Sequence, residues 1–144
     1  MSNHKIFIVH GHDSVALREL EMLIKSIDLQ PLILSQQDSL GMTIIESFEF
    51  YAAQCAFAFA LLTPDDEQAR DLKGANKWRA RQNVIMEIGW FMGRIGRERV
   101  ALVHKGGVEL PSDPLGVIYI PFAKSIFDVS DSIKQRLRGQ HLLA

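Results

Sequence analysis

The chain has 144 residues, 47% hydrophobic and 23% charged, with sixteen Lys and Arg against seventeen Asp and Glu, and one cysteine. This length suits one compact domain, the apolar share excludes intrinsic disorder, and a lone Cys55 excludes an internal disulfide framework or a cysteine-built zinc site. The net charge of −1 argues against a general nucleic-acid binder, but it conceals −7 over residues 1–67 and +6 over residues 68–144, leaving room for a local anion site.

Apolar runs and helical patterns alternate along the chain. Ile6-Phe7-Ile8-Val9 reads as a strand that ends in the turn cluster His10-Gly11-His12-Asp13. Leu17, Leu20, Leu23, Ile24 and Ile27 recur at helical spacing, with Asp13 or Ser14 placed as the N-cap. Pro31 introduces a second run, Leu32 to Leu34, followed by the polar loop Ser35 to Ser39, which closes on Gly41. Thr43 to Tyr51 reads as a helix with Ile44, Ile45, Phe48 and Ala52 inward. Phe57 to Leu62 is apolar at every position, as suits a central strand of a parallel sheet.

Residues 65–77 are polar and read as irregular. A long helix is expected from about Arg79 to Arg94, burying Ile85, Ile88, Met92 and Ile95 and ending at Gly96. Val100 to Val103 makes a fourth strand, and Val117 to Ile120 a fifth, framed by Pro114 and Pro121. A last helix places Val129, Ile133 and Leu137 inward. The longest apolar stretch, Cys55 to Leu62, falls well short of the roughly 20 residues of a spanning helix. Residues 1–5 lead into an apolar run too short for a signal peptide, so a soluble cytoplasmic protein is expected, with no membrane partner.

Five strands alternating with helices imply an α/β fold, a parallel sheet with right-handed crossovers and helices on both faces. The leading arrangement is flavodoxin-like, strand order 2-1-3-4-5, with residues 1–144 as a single domain. Ligands in such sheets bind outside the carboxyl ends of the strands at the switch point between strands 1 and 3. The expected site walls are therefore His10 to Asp13 and Thr63 to Asp66.

Two imidazoles, a glycine and a carboxylate at that point admit more than one reading. Gly11 could make the turn, Asp13 cap the helix and the histidines bond to backbone. A helix N-terminus there also attracts phosphate. A metal would need a third ligand, which Asp65 or Asp66 could supply, but His-x-His spacing is common and no other histidine lies in an expected site loop, so no metal is expected. Glu87 is the more informative carboxylate, set in the otherwise apolar Val84-Ile85-Met86-Glu87-Ile88-Gly89-Trp90-Phe91. On a helix from Arg79, the residues Arg79, Asn83 and Glu87 share one stripe, which by periodicity alone reads as a solvent-facing face. Gly89 counts against that, because glycine weakens a helix by about 1 kcal/mol relative to alanine.

Lys73, Lys77, Arg79, Arg81, Arg94, Arg97, Arg99 and Lys105 hold half of the basic residues. No helix-turn-helix, RNA-recognition or zinc motif accompanies them, so a small phosphate contact is favoured over nucleic acid. No Gly-x-Ser-x-Gly is present, and Cys55 begins a buried strand, so nucleophilic serine or cysteine chemistry is set aside. A receiver domain would need paired acids after strand 1, and none follow.

Four stretches together carry a family resemblance: Ile6 to Asp13, Gly41-Met42-Thr43-Ile44-Ile45-Glu46-Ser47-Phe48-Glu49, Leu61 to Asp66, and Ala80-Arg81-Gln82-Asn83-Val84-Ile85-Met86-Glu87-Ile88-Gly89-Trp90-Phe91-Met92-Gly93. In this order the chain resembles the TIR-like domains of bacterial anti-phage effectors, the NAD-consuming TIR domains associated with CD-NTase and Pycsar signalling. The resemblance implies a flavodoxin-like fold and a catalytic glutamate on the helix after strand 3, which falls on Glu87. It implies that the loop after strand 2, Gln36 to Met42, gates the pocket and mediates self-assembly, with Gln37, Asp38, Gly41 and Thr43 as its residues. Position 47 commonly carries lysine in such domains, and Ser47 is expected to tune the surface rather than the chemistry.

The resemblance makes NAD⁺ the substrate, with no cofactor. His10, Gly11, His12 and Asp13 are then the expected ribose or phosphate contacts, with Arg79 or Arg81 on the diphosphate, Thr63 supplying a hydroxyl at the strand end and Asn83 among the substrate-binding residues. The expected activity is an NAD⁺ glycohydrolase that releases nicotinamide and ADP-ribose or a cyclic form, activated by self-association into an oligomer or filament. Such domains are commonly joined to a sensor for a cyclic nucleotide, for which 144 residues leave no room. The sensor is expected elsewhere in a longer protein or on a partner chain. Two alternatives keep the fold: a non-catalytic assembly or nucleotide-binding module, and N-glycosidic chemistry on another nucleotide.

Overall fold

The computed structural model describes residues 4–11, 13–63, 68–70, 76–79, 82–106, 108, 109 and 118–143. Its elements run β1 (Lys5–His10), α1 (Ser14–Ser26), β2 (Gln30–Ile33), α2 (Ile44–Ala52), β3 (Phe57–Leu62), β4 (Gln68–Arg70), β5 (Asn76–Arg79), α3 (Gln82–Ile95), β6 (Val100–Lys105), β7 (Val108–Glu109), β8 (Ile118–Phe122) and α4 (Ser130–Gly139). The main sheet is parallel throughout, ordered β2-β1-β3-β6-β8. Setting aside the small second sheet, this is the 2-1-3-4-5 order expected from the alternation of apolar runs.

Strand alternation divides the core into two layers. Ile6, Ile8, Phe57, Phe59, Ala101 and Val103 face α1 and α4, meeting Leu20, Ile24, Ile133 and Leu137. Phe7, Val9, Ala58, Ala60, Leu62 and Leu102 face α2 and α3, meeting Phe48, Ala52, Val84, Ile88 and Phe91. β3 is buried at all six positions because helices cover both of its faces. Asp13 is the N-cap of α1, its Oδ1 accepting from the Ala16 backbone N–H at 2.9 Å. Thr43 and Glu46 close a capping box at the start of α2. Gly96 leaves α3 with φ +92°, a left-handed turn that glycine takes without strain.

Several expectations are corrected. Part of the supposedly irregular 65–77 segment forms strands: β4 pairs antiparallel with β5, and β5 pairs parallel with β7. These strands are short and polar, so no hydrophobic period marks them. Because Arg79 closes β5, α3 starts only at Gln82, and the Arg79–Asn83–Glu87 helical stripe does not form. Ile45 is 58% exposed and Ile44 84%. The buried face of α2 therefore begins only at Ser47 and Phe48 and continues at Ala52. Ile85, expected inside, is exposed, and Met92 and Ile95 are only half-buried. Val129 precedes α4 in a 3₁₀ turn. Pro121 lies within β8 instead of ending it, which an edge strand tolerates because the missing N–H would face outward.

Candidate functional site

Parallel strands bring their carboxyl ends to one edge, where His10 of β1 pairs in register with Leu61 of β3. Beside this edge lies a cavity of about 420 Å³. Phe7, Ile8, His10 and Gly11 line it from β1 and its exit. Leu34, Ser35, Gln37, Asp38, Ser39 and Met42 contribute from the loop after β2, Ile44, Ser47 and Tyr51 from α2, and Glu87 from α3. His10 and Gly11 at the exit of the first strand thus share one cavity with Glu87, while Thr63 of the other expected wall does not line it.

Glu87 reaches this wall because its helix is anchored just beyond it. Phe91, one turn further along α3, is fully buried. It packs on Phe7 at 5.0 Å and on Phe48 at 5.7 Å between ring centroids, while Trp90 meets Phe48 at 5.2 Å. This aromatic cluster ties α3 to α2 and β1, and Phe7 carries it to the cavity. Glu87 is half-buried, and burial pushes its carboxyl up to about 7. Near neutral pH it therefore exchanges between charged and neutral forms, a property associated with functional carboxylates. His10 Nδ1–H donates to the Gly11 carbonyl at 2.8 Å, which leaves Nε2 as an acceptor in the neutral ring.

The shifted carboxyl has a stability consequence of definite sign. Its folded pKa lies above the unfolded one, so its contribution favours folding below about pH 4.5 and is lost as pH rises to about 7. Glu87→Gln is expected to melt about 3 °C above the wild type near pH 8, from an effect on the order of 1 kcal/mol once its exposed part is discounted. The gap should close as pH falls toward 4.5. Thermal melts across that range check this, and equal melting points at pH 8 would refute it.

The other expected site residues divide. Gln37 and Asp38 line the cavity, whereas Gly41 and Thr43 do not. Gly41 sits beside Leu40 in a turn where both have positive φ, and Thr43 caps α2. Asp13 is committed to its cap, and Thr63 is buried at the end of β3, neither one lining the cavity. Asn83 lies in the first turn of α3, one turn before Glu87. Arg79 sits in β5. His12, Arg81, Asp65 and Asp66 lie outside the described residues.

Ser47 departs from expectation. It is buried at 6% exposure and lines the cavity, so it belongs to the pocket wall and not to the surface. Ser47, Tyr51 and Phe7 are cavity residues that sequence reasoning missed. The signal was present: Ser47 and Tyr51 are one turn apart and adjoin the apolar pair Phe48 and Ala52 on the same helix. Cys55 is buried, and desolvation pushes its thiol up to about 12, which leaves it protonated and unsuited to nucleophilic chemistry.

A family model described as the TIR domain of CAP12/Pycsar effector proteins matches residues 5–124. An uncharacterised Escherichia coli K12 protein, YuaY, is 44% identical over 117 residues, covering 81% of this chain and 39% of that protein. The Pycsar effector protein BcPycTIR of Burkholderia cepacia is 40% identical over 80 residues, 54% of this chain and 26% of its own. The chain thus spans well under half the length of these relatives. Among solved structures, the SEFIR domain of IL-17 receptor B superimposes with a TM-score of 0.58 over 93% of this chain and 94% of that one. At 12% identity this likeness concerns the fold alone. With the family model spanning both walls of the cavity, and the fold agreeing, the chain belongs to the TIR-domain family of CAP12/Pycsar effectors.

Proposed function

We propose that this cavity cleaves the bond between ribose and nicotinamide in NAD⁺. The observation that carries the reading is Glu87, a half-buried carboxylate shifted by burial, facing the same cavity as His10 and Gly11. Nicotinamide leaves NAD⁺ without needing a proton, because the bond's electron pair neutralises the ring nitrogen. One carboxylate then suffices, unlike the two carboxyls of ordinary glycoside hydrolysis. As the bond breaks, positive charge grows on the ribose, and ionised Glu87 stabilises it where it develops. Water adds to the anomeric carbon and loses a proton, giving ADP-ribose; attack by an adenine nitrogen gives a cyclic form instead. His10 and Gly11 contact the ribose, with Arg79 or Arg81 on the diphosphate.

Self-association is the proposed switch. Leu40, Ile44 and Ile45 are all more than half exposed, and together they border the cavity's loop. Three such apolar side chains in six residues make a contact surface for another copy. Ile45→Asp is expected to abolish assembly and, with it, activation, as read by sedimentation beside nicotinamide release; full assembly would remove this patch from the account. We further propose that the domain serves anti-phage defence in the cytoplasm, under a sensor for a cyclic nucleotide outside these 144 residues. Concentrated protein, with and without crowding agent, is incubated with NAD⁺ and nicotinamide is followed. Visibly polymerised but inactive protein would sink the enzymatic reading and favour a non-catalytic assembly module. Cleavage of competing mononucleotides in preference to NAD⁺ would move the substrate assignment to another nucleotide.

A further inference from the structure

We propose that Ser47 and Tyr51 are positioning residues that clasp the loop after β2 onto α2 and so set the mouth of the Glu87 cavity. Their hydroxyls lie one helical turn apart and both point back along the chain. Ser47 Oγ–H donates to the Ser39 carbonyl at 3.3 Å, and Tyr51 O–H donates to the carbonyl of the adjacent Asp38. Two side chains of one helix thus hold two consecutive loop carbonyls.

Among the described residues, the other hydrogen bonds of the clasped segment are local. Asp38 Oδ1 accepts from the Leu40 N–H at 3.0 Å, and Met42 N–H donates to the Ser39 carbonyl at 2.9 Å. Leu40 and Gly41 between them both have positive φ, and Leu40 does so without glycine's freedom. Such a turn keeps one shape only when its surroundings hold it. Among the described residues, the clasp is the tie from outside the segment, and it acts at Asp38 and Ser39. Asp38 and Ser39 also line the cavity, as do Ser47 and Tyr51 themselves. Their backbone position therefore decides whether the cavity accepts a ligand.

The proposal rests on the NAD⁺ reading for its kinetic consequence but not for its structural one, so two readouts are used. Full-length protein is compared with Tyr51→Phe, Ser47→Ala and the double variant. Hydrogen exchange over residues 38–42 is expected to rise about three- to tenfold in each single variant, and further in the double, with α1 and β3 unchanged. KM for NAD⁺ is expected to rise by a similar factor with kcat within about twofold, because a looser loop lowers the competent fraction without altering the bound state. Ser47→Thr, which keeps the hydroxyl, should restore wild-type exchange and KM.

Unchanged exchange in the double variant would overturn the clasp. Faster exchange with an unchanged KM would overturn its effect on the cavity. Should the double variant unfold, Tyr51→Phe alone decides, since it removes one oxygen and keeps the ring. Wild-type protein that releases no nicotinamide defeats the NAD⁺ reading instead, and exchange then judges the clasp by itself.

Discussion

Glu87→Gln is expected to lower nicotinamide release by roughly 100- to 1000-fold while leaving the fold intact. The glutamine amide fits the same space but carries no charge to oppose the cation forming on the ribose. The loss should fall mainly on kcat, because that charge exists only in the transition state. Steady-state assays on assembled protein check this. Full turnover in Glu87→Gln would mean that another group of the cavity does the chemistry. A pure KM effect would recast Glu87 as a binding group for the cationic nicotinamide.

Phe91→Ala is expected to cost about 3–5 kcal/mol of a domain stability that is typically about 5–15 kcal/mol. Phe91 has no exposed surface and touches the rings of Phe7, Phe48 and Trp90. Truncation leaves a hole where α2, α3 and β1 meet, and well-packed rings there relax only in part. A melting point lower by about 10 °C is the expected reading. Met86→Ala, at a position 56% exposed on the same helix, should move it little. Equal effects from the two changes would show that the aromatic cluster does not anchor α3. Because Phe7 belongs both to this cluster and to the cavity, Phe91→Ala should also weaken catalysis in whatever protein stays folded.

How much of this was legible in the sequence depends on which force shapes each part. Strand order and the two core layers follow from runs such as Phe57 to Leu62 and from helical periods such as Leu20, Leu23, Ile24, which burial dictates directly. Glu87 stood out because a carboxylate amid apolar residues must be explained. The small second sheet was invisible because Gln68-Ala69-Arg70 is held by backbone pairing and shows no hydrophobic period. Arg79 escapes the sequence pattern for the same reason, since it closes β5 although its helix-compatible neighbours assign it to the start of α3. Ile44 illustrates another limit: periodicity gives the direction of a side chain but not whether anything lies in front of it. The exchange of roles at Ser47, from surface to cavity wall, depends on which face of α2 is buried, a tertiary matter.

The most direct test of the central claim is the pH dependence of kcat/KM for nicotinamide release by assembled wild-type protein. This parameter reports ionisations of the free enzyme. If ionised Glu87 is the working group, activity rises about tenfold per pH unit on the acid side and levels off above an inflection near 7. The inflection in kcat should lie lower, because bound cationic nicotinamide favours the carboxylate. A profile flat through that region, or no nicotinamide at any pH from assembled protein, would contradict the account.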